Sequence, residues 1–216
     1  MTARDALPLL NIDAPRLLAD ISAQWDHDII SQLIDYIKLP AKSPAFDVDW
    51  AKNGFLDAAM KQAYDWVIAK NIAGLGAEII RIDGRTPVLF FDIPATGVVG
   101  KNDGADKTIL LYGHLDKQPE MVGWRADLGP WIPLYEDGKL YGRGSADDGY
   151  AVFAALAAIA ALDAQGVSRP RCVGLIETCE ESGSYDLPVY LDVLAARMGD
   201  VAMVIALDSE IGRAHV

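Results

Sequence analysis

Ile109-Leu110-Leu111-Tyr112-Gly113-His114-Leu115-Asp116 is the stretch on which the reading of this chain turns. A short run of branched and aromatic residues, bounded by Lys107 before and polar residues after, predicts a buried strand. Residues two apart on a strand share a face, so His114 and Asp116 emerge together at its carboxyl end. Open α/β sheets place their ligands at that end. A His beside a carboxylate suits a divalent metal there, the imidazole as ligand and the acid to hold a base or ligand in line.

On either side of this strand the pattern alternates between helices and strands. Apolar residues from Pro15 to about Leu39 recur three and four apart and predict a helix closed by Pro40. A second amphipathic helix is expected from Phe55 to about Ile72, ended by Gly74 and Gly76. Ala77–Ile82 and Thr86–Ile93 read as strands joined by the hairpin signal Asp83-Gly84. Gln118 to Gly138 reads as a long irregular segment, and a loop of that length in a compact domain usually carries function. An Ala-rich helix follows over Ala151–Gln165, stopped by Gly166. Arg171–Glu177 then reads as a strand, Leu187–Arg197 as a helix and Val201–Leu207 as another buried strand. Strands alternating with helices predict an α/β fold with a mixed, partly parallel sheet flanked by helices.

Three of the apolar strands run into acidic or imidazole groups. The first ends at His114 and Asp116, the second at Glu177 followed by Glu180-Glu181, and the third at Asp208. Asp147-Asp148-Gly149 precedes the Ala-rich helix, where a carboxylate also meets the positive end of the helix dipole. If the strands are parallel neighbours, these groups converge on one edge of the sheet. Such a cluster of carboxylates would repel itself, and a bound dication removes that cost. Gly142-Arg143-Gly144 also precedes a helix, but the residues after it complete neither a dinucleotide fingerprint nor a phosphate loop. Gly183-Ser184 lacks the nucleophile-elbow pattern of a serine hydrolase.

Taken in order, Gly113-His114-Leu115-Asp116, Leu140 to Gly149 (LYGRGSADDG), Glu180-Glu181-Ser182-Gly183-Ser184 and Leu207-Asp208-Ser209 resemble the M20 family of zinc-dependent peptidases. Asp116-Lys117-Gln118-Pro119 and Gly123-Trp124 resemble its dipeptidase and carnosinase-like branch. The resemblance implies the catalytic domain of a zinc exopeptidase-like fold and two zinc ions, with cobalt or manganese able to bind similar groups. It implies His114 and Asp208 on one ion, Asp147 bridging the pair and Glu181 on the other. Glu180 would be the general base and Asp116 would orient His114. Two dications about 3.5–4 Å apart acidify a shared water and polarise a scissile carbonyl, which suits peptide-bond hydrolysis in dipeptides or short peptides. Two rivals stay open: an amidohydrolase acting on N-acyl amino acids, and a non-catalytic metal-binding module.

The resemblance covers the chain to Ser209. Family members continue through an inserted lid domain that carries the dimer surface and then return to the catalytic domain. That further half supplies a second metal histidine, and a homodimer through the lid is implied for the intact protein. Neither His27 nor His215 occupies the place of that histidine, and the chain alone is expected to be inactive or nearly so. Glu210–Val216 reads as the in-frame translation of a common sequencing adaptor (…AG ATC GGA AGA GCA CAC GTC). It is therefore expected to be a non-native tail on a fragment whose residues 1–209 form the N-terminal part of the catalytic domain, without the lid.

The bulk properties fit a soluble protein and, more weakly, a site that concentrates cations. At 216 residues and 51% hydrophobic the chain can bury a core. A net charge of -12 disfavours nucleic acid or an anionic membrane as partner, since both reward basic patches. Cys172 and Cys179 make no disulfide framework and are expected as free thiols. Met1–Leu10 lacks the basic and apolar regions of a secretory signal, and no apolar run approaches a bilayer-spanning length. The expected location is the cytoplasm.

Overall fold

The computed structural model describes residues 12–97 and 107–208. The expected tail at 210–216, His215, and the Met1–Leu10 segment read for a leader lie outside the described residues. The first helical stretch is α1 (Ala14–Gln24), a π-helical turn (Trp25–Ile29) and α2 (Ile30–Ile37). Asp13 caps its start by accepting the Arg16 N–H, and a proline sits in the first turn, where its missing donor costs nothing. His27, on the π turn, is exposed. After α3 (Trp50–Asn53), α4 (Phe55–Ala69) supplies the second amphipathic helix.

The central sheet is built from β1 (Gly76–Ile80), β2 (Val88–Ile93), β3 (Lys107–His114), β6 (Arg171–Glu177) and β7 (Asp200–Ala206), in the order β1-β2-β6-β3-β7. β1 and β2 form the expected antiparallel pair, and β2 pairs antiparallel with β6. β6, β3 and β7 run parallel. The sheet is thus mixed, with its parallel half holding all three strands that run into charged groups. Between β3 and α5 (Ala151–Ala164), the irregular segment contains one element the sequence reading missed, the short hairpin β4 (Leu134–Glu136) and β5 (Lys139–Tyr141).

Strand alternation divides the core between two faces. Leu89, Phe91 and Ile93 pack with Leu111, Cys172 and Ile176 against α2, α4 and α5. Val88 and Phe90 turn the other way, with Leu110, Val173 and Leu175, onto Tyr190, Leu194 and Met198 of α6 (Leu187–Met198). Helices therefore cover both sides of the sheet. α5 is apolar nearly all round because it is inserted among α1, α4 and the sheet. Both cysteines are free and buried.

β7 departs from expectation. Its apolar run predicts a buried strand, yet most of it is exposed. Its place at the end of the sheet is the physical reason, for among the described residues no strand pairs with its outer edge. No helix among the described residues is long and apolar enough to cross a membrane.

Candidate metal centre

Because β6, β3 and β7 are parallel neighbours, their carboxyl ends lie side by side. His114 stands in register with Glu177 across the β3–β6 ladder, and the Leu115 N–H extends that ladder to the Glu177 carbonyl at 2.9 Å. On the other side, the Leu207 N–H donates to the Tyr112 carbonyl at 3.0 Å, which brings Asp208 level with His114. The His114 Nε2 lies 4.0 Å from Asp208 Oδ2, 3.3 Å from Asp147 Oδ1 and 3.7 Å from Glu180 Oε2.

Asp147 arrives on the turn that leads into α5. Its neighbour Asp148 is buried and accepts the His114 main-chain N–H through Oδ2 at 3.1 Å. Gly113 makes that approach feasible, since a Cβ there would stand 2.7 Å from Asp148 Oδ2 and 2.5 Å from the Ala151 methyl. Glu180 and Glu181 lie on a 3₁₀ turn, Glu180–Ser182. Asp116 fixes that turn with both carboxylate oxygens, accepting the Glu180 N–H at 3.1 Å and the Glu181 N–H at 2.9 Å. Asp116 Oδ1 also lies 3.4 Å from His114 Nδ1, although the closer partner of that nitrogen is the Asp116 main-chain carbonyl at 3.1 Å.

His114, Asp147 and Asp208 close most tightly, with one ligand atom from each within 4.8 Å of the others. Glu181 falls outside that trio and adjoins Asp147, the two carboxyls interacting directly. Its Oε2 accepts the Gln118 side-chain amide. All six residues singled out in the sequence thus stand around one end of the sheet.

The sequence profile of Peptidase family M20/M25/M40 matches residues 110–211, the span that carries every one of these groups. That segment is similar to the M20/M25/M40 peptidases. The Cys-Gly metallodipeptidase DUG1 of Candida albicans is 43% identical over 91 residues, covering 40% of this chain and 18% of that protein. The human Beta-Ala-His dipeptidase is 35% identical over 130 residues, covering 56% of this chain and 25% of that protein. This chain therefore spans a quarter or less of those relatives' length. The fold is also that of the di-peptidase Dug1p from Saccharomyces cerevisiae, with a TM-score of 0.66 at 24% identity over 90% of this chain and 40% of that one.

This segment offers a donor set that fits a divalent metal. His114 Nε2 and Glu181 Oε1 are buried and make no hydrogen bond. With Nδ1 against a carbonyl, loss of the Nε2 proton would leave that nitrogen's lone pair aimed at the carboxylates, the tautomer a metal-bound histidine requires. Neighbouring ligands on a tetrahedral ion with bonds near 2.0–2.1 Å lie about 3.4 Å apart, close to the spacing of this trio.

The electrostatics point the same way. Burial works to lower the His114 pKa, but the carboxylates of Asp116 and Asp147 overcome it and raise it to about 11. Burial raises Asp148 to about 8, and burial with the charge of Asp147 raises Glu181 to about 7. Burial raises Glu180 as well, whereas the neighbouring His114 imidazole lowers Asp147. Protons are held here because negative charge is crowded, and a dication would replace them.

Several contributors were not legible beforehand. Gln118 on Glu181, the grip of Asp116 on the glutamate turn, and the buried Glu177, which accepts Tyr112 Oη at 2.5 Å and Ser184 Oγ at 2.9 Å, all join residues far apart in sequence. A buried carboxylate at a strand end was the one available signal for Glu177.

Proposed function

We propose that the protein carrying this chain is a metal-dependent dipeptidase. The observation that carries the reading is the buried, unbonded Nε2 of His114 among the carboxylates of Asp147, Asp208 and Glu180. His114 and Asp208 would hold one zinc ion, Glu181 the other, and Asp147 would bridge them; cobalt or manganese suits the same donors. When bound, the metal supplies Lewis acidity, polarising a carbonyl and acidifying a water.

The remaining chemistry falls to side chains. Glu180 is partly exposed, and burial of the rest of its carboxyl raises its pKa, which moves it toward the range of an effective base. It would take a proton from the attacking water and deliver it to the leaving amine. Asp116 would keep His114 and the glutamate turn in line through the contacts described above. Short peptides as substrates rest on the dipeptidase names of the curated relatives and on the Asp116–Pro119 and Gly123-Trp124 stretches. A cytoplasmic location rests on the free cysteines, and a homodimer on the family resemblance.

Hydrolysis of a dipeptide panel and of N-acetyl amino acids should be followed after chelation, after zinc is restored, and in Glu180→Gln. Dipeptide cleavage should vanish on chelation, return with zinc and fall about 10²–10⁴-fold in the variant. Preference for N-acetyl amino acids would make the protein an amidohydrolase, and biological activity unaffected by the substitution would make it a binding module.

A further inference from the structure

Lys117 follows Asp116 directly and is 0% exposed. Among the described residues no carboxylate lies within ion-pair distance of it. Its Nζ instead donates to the main-chain carbonyls of Tyr36 and Leu39, both at 2.8 Å, with that of Ile37 at 3.4 Å. These carbonyls close the C-terminal end of α2, where a helix leaves acceptors unpaired and presents the negative end of its dipole. The amino group also lies 3.8 Å from the centre of the Tyr36 ring. Burial and the nearby Arg143 push the Lys117 pKa down to about 6, and the carbonyls and the ring face oppose that by solvating the charge.

The same short segment also reaches the His114–Asp116 strand end and the glutamate turn. Tyr36 Oη donates to the Leu115 carbonyl at 3.0 Å, and the Ser43 N–H donates to the Lys117 carbonyl at 3.0 Å. Ser43 Oγ and Ser182 Oγ are 2.5 Å apart, and the Ala45 N–H donates to Ser182 Oγ at 2.8 Å, which ties in the Glu180–Ser182 turn. The Asp147 turn packs on the lysine stem at Gly144, whose φ is +84° and where a Cβ would meet Lys117 Cε at 2.7 Å.

We propose that Lys117 is a positioning residue for the metal centre: tied to the end of α2, it sets the spacing between the His114–Asp116 segment and the Asp147 turn. This rests on the metal-centre reading above. A methionine of similar length would fill the volume but leave the helix carbonyls unpaired and the two loops free to separate.

The test is zinc and cobalt affinity of the purified protein, by competition with a chromophoric chelator, together with the visible spectrum of the cobalt form and the melting temperature. Lys117→Met is expected to bind either metal about 10–100-fold more weakly, the usual cost of losing an outer support, with an altered cobalt band. Tyr36→Phe keeps the ring and removes only the bond to Leu115, so it serves if the first variant fails to fold. Its expected loss is about fivefold, that of one neutral hydrogen bond. Wild-type affinity and an unchanged cobalt spectrum in a folded variant, however far its melting temperature drops, would reduce Lys117 to a structural role. Failure of the wild-type protein to bind either metal would overturn the metal centre itself, and this proposal with it.

Discussion

Asp116 and Glu181, 65 residues apart in sequence, are joined by a 2.9 Å bond from the Glu181 main-chain N–H to the Asp116 Oδ2. With the second oxygen on the Glu180 N–H, the carboxylate at the end of one strand sets where both glutamates of the next loop point. Asp116→Asn removes one acceptor and the charge that strengthens the other. Metal affinity should fall about 10–100-fold, and the fold should lose about 1.5–3 kcal/mol, the range for a hydrogen bond to a charged group. Chelator competition and urea unfolding measure the two. Unchanged metal affinity would show that the glutamate turn holds its shape without Asp116.

Gly113 predicts a second cost. An alanine there would place its methyl 2.5 Å from the Ala151 Cβ and 2.7 Å from Asp148 Oδ2. Overpacking of this kind costs about 1–3 kcal/mol, and Asp148 must move off the His114 N–H to relieve it. Gly113→Ala should therefore lower both the denaturation midpoint and metal affinity. A variant as stable as the parent would mean that α5 shifts freely against β3.

The crowded carboxylates set the sign of a pH effect. Asp148 and Glu181 have folded-state pKa values of about 8 and about 7, above the ordinary carboxylate range, and His114 is raised to about 11. A group whose pKa is raised by folding stabilises fully below its unfolded value, and that contribution drains as pH climbs through the folded value. Metal-free protein should thus be more stable near pH 5 than near pH 8, by about 5 °C or more in Tm. Zinc should narrow or reverse the difference, because it binds the deprotonated donors. Melting curves in chelator and in zinc at both pH values decide it, and a metal-free Tm that rises across this window would contradict the electrostatic account.

Much of this was legible because the relevant signals are local. The apolar runs of β3 and β6 and the groups at their ends could be read one strand at a time, and the strand–helix alternation implied the parallel half of the sheet that joins them. Lys117 could not be read that way, since a lysine scans as exposed and only the folded end of α2 provides its acceptors. The contact between Asp116 and the glutamate turn, and the role of Gly113, likewise depend on packing between distant segments. The exposure of β7 escaped because an apolar run reports hydrophobicity and not a strand's place in the sheet order.

That misreading yields the last prediction. Met203 and Val204 are 56% and 57% exposed, and adjacent residues on a strand face opposite ways, so β7 shows apolar side chains on both faces. An apolar edge strand without a paired neighbour is a template for association with another chain. Met203→Lys and Val204→Lys should leave unfolding free energy within about 0.5 kcal/mol, as surface changes do. They should also reduce light scattering of concentrated protein, because a charge on the edge opposes strand pairing. If either substitution instead lowers stability by several kcal/mol, that side of β7 is covered in the protein as it exists in solution. Its apolar run would then belong to a core that extends past the described residues.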